Sequence, residues 1–388
     1  MNPVYLDYNA TTPLLPEVVD AMLPFLRERF GNPSSGHAYG APARRAIEIA
    51  RDEVARLLGC APDEILFTSG GTEANNLAIR GIAETRPGAR RIVTSVVEHP
   101  ATAEPCAALE RSGWVVARLP VDSWGRVSAA EAEAALGPDT ALVTIMHANN
   151  ETGSVQPIRE IAAAARSRGA AVHTDAAQSA GKIPVDVAAL GVDLLSIAGH
   201  KLYAPKGIGA LYVRRGTALE PFLRGAAQER GLRPGTENVA GIAGLGAAAA
   251  AARRDREALA TRLEALRERL WGALHRGVPG LALSGHPAER LPNTLNARFP
   301  GVRGGALLAA APEIAASTGA ACHAGSEAAS EAITAMGVPP DAALGSVRLS
   351  LGRFTTEEDV DIAASALLRA FQSSVTGGMG GRGVTGGS

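Results

Sequence analysis

The stretch AAVHTDAAQSAGKIPVDVAALGVDLLSIAGHKLYAPKGIGALYVR, residues 170–214, decides the fold. It holds three short apolar runs, AAVHTDA (170–176), DLLSIAG (193–199) and GALYVR (209–214), each too short for a typical helix. Strands that read as near-continuous apolar runs are buried on both faces, as in a mainly parallel sheet covered by helices. Working towards the N-terminus, EILFTS (64–69), RIVTSVV (91–97), GWVVARLP (113–120) and ALVTIMHA (141–148) repeat the pattern. Between them lie segments with helical spacing, such as SAAEAEAALG and IREIAAAARSRG. The expected fold class is therefore α/β, with a mainly parallel seven-stranded sheet.

Working towards the C-terminus, residues 240–275 form a long Ala/Arg/Glu/Leu helical pattern. Beyond it, LNARFP and VRLSLG read as strands of a smaller α+β domain. The expected division is a large domain over 15–258, a small domain from 1–14 and 259–372, and a disordered Gly-rich tail over 373–388. A chain of 388 residues exceeds one comfortable core, which agrees with two domains.

Composition excludes several classes. Hydrophobic residues make up 46% and charged residues 20%, as in a globular protein, and the formal net charge of −1 leaves no footprint for nucleic acid or an anionic membrane. No uncharged apolar stretch is long enough for a membrane helix, and MNPVYLDYNATT has no basic region followed by an apolar core. Cys60, Cys106 and Cys322 are few, far apart and odd in number, so they form neither a disulfide framework nor a zinc pattern. No metal is expected, and a reducing cytoplasm is the expected location.

In a sheet of this kind ligands bind beyond the carboxyl ends of the strands. Five polar clusters fall there: TSGGTEANN, EHPAT, HANNETG, DAAQ and GHK. Only three lysines occur in the chain, Lys182, Lys201 and Lys206. Asp175 closes one apolar run and Lys201 follows the next. A carboxylate beside an amine matches the needs of pyridoxal phosphate, which takes an amine as an imine and a carboxylate against its pyridine nitrogen. Lys182 and Lys206 read as loop residues. An N-cap role is the competing reading of Asp175.

Other residues are weaker alone. Gly71 and Thr72, in a glycine turn opening a helix, suit a phosphate, although a capping arrangement reads the same way. His99 at a strand end could stack on a flat ring or shuttle a proton, but a lone histidine is more often structural. Cys322 sits in the Gly/Ala/Ser-rich stretch STGAACHAGSEAAS, where His323 favours its thiolate; Cys60 and Cys106 fit buried or surface positions better. Arg348 could fork onto a substrate carboxylate, though most arginines are surface charges.

Taken together and in order, YLDYNATT, FGNPSS, FTSGGTEANNLAI, MHANNETG, HTDAAQSAGK, GHKLYAPKGIGALYVRR and RPGTENVAG resemble the cysteine desulfurase family of class-V aminotransferase-like, fold-type I pyridoxal phosphate enzymes. The resemblance runs to SLGRFTTEEDVD, near residue 361. It implies Lys201 as the imine lysine, Asp175 against the pyridine nitrogen, Gln178 on the ring hydroxyl, and His99 stacked on the ring as an acid–base group. It implies Gly71, Thr72 and His200 around the phosphate, with Thr236 reaching the phosphate of the other subunit of a homodimer. Asn150 lines the cofactor site and, with Arg348, holds the substrate carboxylate. Cys322 takes the sulfur of L-cysteine as a persulfide and passes it to an acceptor thiol or protein, in a pathway such as iron–sulfur cluster assembly.

Three departures stand out: Ala198 where the family usually has Ser, Gly225-Ala226-Ala227 in place of a glycine triplet, and AASEAITAMGV where a Pro-Ser pair is common. The AACHAG context also resembles selenocysteine lyases, so L-selenocysteine is the rival substrate. An aminotransferase, which needs no Cys322, is a more distant rival. A catalytically idle scaffold comes from another class, and intact Lys201, Asp175, His99 and Cys322 argue against it.

Overall fold

The structure, a computed structural model, describes residues 2–319 and 328–379. The chain opens with a short strand, β1 (Val4–Tyr5), and a helix over Pro16–Arg27. The seven sheet strands follow as β2 (Ile65–Thr68), β3 (Arg91–Ser95), β4 (Val115–Leu119), β5 (Thr140–Thr144), β6 (Ala171–Asp175), β7 (Leu194–Ala198) and β8 (Gly209–Val213). Each lies inside a run expected from the sequence, except that β5 begins one residue early, at Thr140. They assemble in the order β2-β8-β7-β6-β5-β3-β4, and only β8 runs against the others.

That single reversal has a functional consequence. The strands β2, β3, β5, β6 and β7 all point the same way, so their carboxyl ends share one edge of the sheet. The five polar clusters are therefore brought to one crevice. β6 and β7 are direct neighbours, with Asp175 opposite Ser196. The crossover between them is short because Asp186 caps one helical turn by accepting from Ala189 N at 2.9 Å. Gly191 then ends that turn at φ 73°, a left-handed conformation that a side chain disfavours.

A smaller unit is built from β9 (Ala282–Ser284), β10 (Thr294–Arg298) and β12 (Ser346–Ser350), antiparallel in the order β12-β10-β9, while β11 (Ile314–Ala315) pairs in parallel with β1. The 39-residue helix Val239–Gly277 joins the two units. Its first half packs Ile242, Leu245 and Ala249 into the core on one face of the large sheet, with Val54, Ile197 and Tyr212. Its second half packs Leu263, Leu266, Leu270 and Leu274 into a separate core with Leu6, Phe299, Leu349 and Leu367. A third cluster, including Leu66, Leu77, Ile82 and Leu142, covers the opposite face of the large sheet. Leu6 of the N-terminal segment packs in the second core, with Val4 against it.

One expectation changes. The helix that begins at Glu357 continues to Met379, through residues assigned to a disordered tail from Ser373. Its backbone needs no apolar partner to keep its own i to i−4 bonds, so loss of apolar period did not mark its end.

Candidate active site

The crevice is built from strand ends whose side chains meet although their positions in the chain are far apart. Asp175, at the end of β6, is buried. Its Oδ2 accepts from Asn75 Nδ2 at 2.7 Å and its Oδ1 from Ala177 N at 2.9 Å. Residues 176–186 form turns and not a helix, so Asp175 caps no helix; its bond to Ala177 N closes a local turn. Asn75 lies on the helix Gly71–Thr85, which leaves directly from β2, and its own Oδ1 is buried without a partner.

Lys201 follows β7 on a single 3-10 turn, Gly199–Lys201. Its Nζ donates to the carbonyls of Asn9 at 2.5 Å and Ala10 at 2.6 Å. Burial pulls its pKa down to about 8, and the Arg348 charge pulls the same way against Asp7 and Asp175. A lysine with a reduced pKa can act as a base or nucleophile near neutrality. Lys206 is exposed, as expected. Lys182 is not the open loop residue its sequence context implied. It lies in a turn, but its amine is held inside by Asn9 Oδ1 at 3.2 Å and Gln178 Oε1 at 2.9 Å.

His99 caps the helix Pro100–Arg111, with Nδ1 accepting from Ala101 N at 3.1 Å. An accepting Nδ1 places the proton of the neutral ring on Nε2. Burial lowers its pKa, Asp175 raises it and Lys201 lowers it, with a net fall. These three groups sense one another's charge, which puts the histidine, the carboxylate and the amine in one space. His200 is also kept neutral: burial first, then Lys201, Lys206 and His99, bring it to about 4.

Gly71 and Thr72 form the first turn of the helix Gly71–Thr85, where N–H groups have no partner within the helix. A Cβ built on Gly71 would stand 3.2 Å from the Ala198 methyl. Ala198 thus faces this turn, and its side chain brings no hydroxyl to it. Glu73 in the same turn accepts from Ser69 N and pairs with Arg233 at 2.9 Å. Burial would raise its pKa, but Arg233 and Ser69 outweigh that and hold it low.

The second wall comes from the small unit. Arg348 on β12 is buried, pairs with Asp7 at 2.7 Å, and donates from Nη1 to the carbonyl of Asn150 at 3.1 Å. Its Nε is buried without a partner among the described residues. Gln178 donates to Asn9 O at 3.0 Å, beside Lys201. Thr236 is exposed and lies on a segment held by Gly235 N donating to Gln228 Oε1 at 2.9 Å. Cys322 lies outside the described residues. The other two thiols are poor nucleophiles: burial, chiefly, pushes Cys60 and Cys106 up to about 12.

Sequence reasoning missed several groups. Asn9 gathers Lys201, Lys182, Gln178 and Asn293 around one residue. Its motif YLDYNATT was noticed, but nothing local shows that it reaches the GHK turn. Glu98, next to His99, accepts from Ser95 Oγ and Met146 N, and burial pushes it up to about 8, so it is neutral at pH 7. A carboxylate beside a strand end was the available signal.

The family model described as aminotransferase class-V matches residues 4–362. The chain belongs to the class-V aminotransferase family. Within that family it is 46% identical to a protein named cysteine desulfurase IscS from Dictyoglomus turgidum, over 95% of this chain and 94% of that one. It is 48% identical to another of the same name from Anaeromyxobacter dehalogenans, over 93% and 90%. A solved structure titled NifS-like protein superposes with a TM-score of 0.89 at 37% identity, covering 96% of this chain and all of that one. The class-V aminotransferase fold expected from the sequence is thus confirmed.

Class-V aminotransferases of this kind depend on pyridoxal phosphate. The residues present fit it. The buried Asp175 carboxylate has only neutral donors, from Asn75 and Ala177, so a protonated ring nitrogen would supply the missing cation. The helix N-terminus suits the phosphate, and Lys201 offers an amine of reduced pKa between them.

Proposed function

We propose that this class-V enzyme is a cysteine desulfurase: it converts L-cysteine to L-alanine and leaves the sulfur as a persulfide on Cys322. The observation that carries the reading is the meeting of Asp175, His99 and Lys201 at parallel strand ends, opposite a buried arginine with an unpartnered Nε. The names of the relatives give the reaction its substrate.

Bound in the crevice, pyridoxal phosphate supplies an attachment point for the substrate amine and an electron sink for the pair left at Cα. Asp175 holds its ring nitrogen, Gln178 faces its ring hydroxyl, and Gly71, Thr72 and His200 surround its phosphate. His99, neutral with its proton on Nε2, stacks on the ring. Arg348 and Asn150 hold the substrate carboxylate by charge-assisted bonds. Lys201 removes the Cα proton as general base. The Cys322 thiolate attacks the substrate sulfur; the new S–S bond forms as the Cβ–S bond breaks, and protonation of Cβ followed by return of a proton to Cα from Lys201 gives alanine. An acceptor thiol or protein then takes the terminal sulfur.

The enzyme acts as a homodimer in this reading. Thr236 is exposed, and Phe30 (78% exposed), Leu26 (64%) and Tyr39 (63%) leave an apolar patch uncovered. The domain division at 258/259 also stands as a proposal, supported by the two cores along the linking helix. No helix among the described residues is long and apolar enough to cross a membrane.

The test is a pair of single-turnover assays with L-cysteine and L-selenocysteine, following alanine release and the mass of the Cys322 peptide. Persulfide and alanine from L-cysteine are expected. Alanine from L-selenocysteine alone would replace the desulfurase reading with a selenocysteine lyase.

A further inference from the structure

Lys182 is a cation whose amine is drawn inside the molecule although the proposed reaction does not use it, and burying it costs free energy. Its ammonium has no carboxylate partner among the described residues, and it borders an apolar pocket lined by Gly181, Leu202, Ala248, Ala252 and Leu263. An unpaired buried charge is expensive, whereas a methionine of similar length would fill the same space without that cost. Burial and the charges of Lys201 and Arg348 bring its pKa down to about 7.

The bonds it makes give the burial a purpose. An ammonium only donates, so any amide facing it must present oxygen. Lys182 Nζ reaches Gln178 Oε1 at 2.9 Å and Asn9 Oδ1 at 3.2 Å, and so holds both amides in the direction that the carbonyls of Asn9 and Asn150 and Asn293 Nδ2 also favour. With Oε1 turned to Lys182, Gln178 must present Nε2 to the crevice, where it meets Asn9 O beside Lys201 Nζ. With Oδ1 turned to Lys182, Asn9 must donate from Nδ2, to Thr294 Oγ1 at 2.9 Å and to Asn150 O at 3.2 Å. That same carbonyl accepts from Arg348. One cation therefore reinforces the polarity of a network that ends at Lys201 on one side and at Arg348 on the other.

We propose that Lys182 is a positioning residue for the cofactor site, orienting the amides of Gln178 and Asn9 so that Gln178 offers an N–H, never an oxygen, to the ring hydroxyl. It acts through other side chains and touches no reacting atom. The inference rests on the reading that Gln178 faces that hydroxyl.

The test compares full-length holoenzymes: wild type, Lys182→Met, Lys182→Arg, Gln178→Ala and the Lys182→Met/Gln178→Ala double variant. The readouts are the visible absorption band of the bound cofactor and the rate of its release. Lys182→Met is expected to shift the band and speed release about tenfold, as loss of one hydrogen bond to a charged group would. Lys182→Arg, which keeps the donors and the charge, restores both. In the Gln178→Ala background Lys182→Met adds no further change, because the two act as one unit. Should Lys182→Met fail to fold, the neutral Lys182→Gln supplies the comparison. A Lys182 variant with a wild-type band and release rate, or one whose effect is the same with and without Gln178, overturns the inference. An unaltered Gln178→Ala enzyme instead removes the ring-hydroxyl contact from the proposed function, and the inference with it.

Discussion

The two walls of the crevice are made differently. On the large-sheet side, the backbones of Asp175, His99 and Lys201 are placed by their own strand ends and turns, although Asn75 and Asn9, distant in the chain, hold the side chains of Asp175 and Lys201. On the small-domain side, Arg348 is placed by Asp7, 341 residues away in the chain, and by the Asn150 carbonyl, 198 residues away. The first wall is rigid because neighbouring strands hydrogen-bond along their lengths. The second depends on the docking of one unit against the other. In the proposed reaction the chemistry falls to the first wall and substrate holding to the second, so substitutions should divide between kcat and KM.

The largest effect tests the first wall. Lys201→Ala should lower kcat by about 10⁴-fold, the upper range for a general base, and should remove the cofactor's visible band. Steady-state alanine release and an absorption spectrum check this, and an active Lys201→Ala enzyme breaks the comparison at its root. The second wall responds in KM. Arg348→Ala should raise KM for L-cysteine by about 10–100-fold, from the loss of one or two charge-assisted bonds, with the band intact. A fall in kcat at unchanged KM would place Arg348 with the chemistry instead.

A third prediction concerns the segment carrying Thr236, which belongs to neither wall of its own crevice. Glu229 is buried at φ 44°, Arg230 has φ 59°, and Glu229 is held by a bidentate pair with Arg51, at 2.6 and 2.8 Å, and by Phe67 N. Such backbone angles cost free energy, and the pair offsets it by tying the turn to β2. Glu229→Gln leaves Arg51 buried without its counter-charge, so it should cost about 3 kcal/mol by urea unfolding and weaken the dimer in sedimentation. Wild-type stability and dimerisation would remove this lock.

The last effect is a pH slope. Burial holds His147 near 4 and His173 near 3, both below the ordinary 6.5. The unfolded chain binds more protons below pH 6.5, so their contribution is intact above 6.5 and is lost as pH falls towards 4. Each adds up to about 1.4 kcal/mol per pH unit within its window. Urea midpoints between pH 7 and 4.5 should fall, and less steeply in His147→Asn; equal slopes would exclude the histidine as a cause.

How much of this was legible follows the same division. All seven strands and the β6–β7 adjacency came from apolar runs, because a strand buried on both faces writes its burial into consecutive residues. Ala226 and Ala227 are exposed in place of glycine, whereas a Cβ on Gly225 would stand 2.7 Å from Pro234, so only that member of the triplet is required. Ser330 caps the helix Glu331–Ala335 where the family has Pro-Ser, accepting from Ile333 N at 3.1 Å. Lys182 was misread because a turn motif shows that the backbone is at a bend, not which way the side chain goes.

By itself the sequence determined the sheet, the five strand-end clusters and the family, and it singled out Lys201 and Asp175 as candidates. These are local, since period, turn chemistry and strand order act over tens of residues. Only the tertiary structure decided that Asn9 reaches Lys201, that Arg348 is paired with Asp7, that Lys182 is buried, and that Glu98 is neutral. Those facts arise where segments distant in the chain exclude water from one another, and a linear pattern carries no record of which segments will meet.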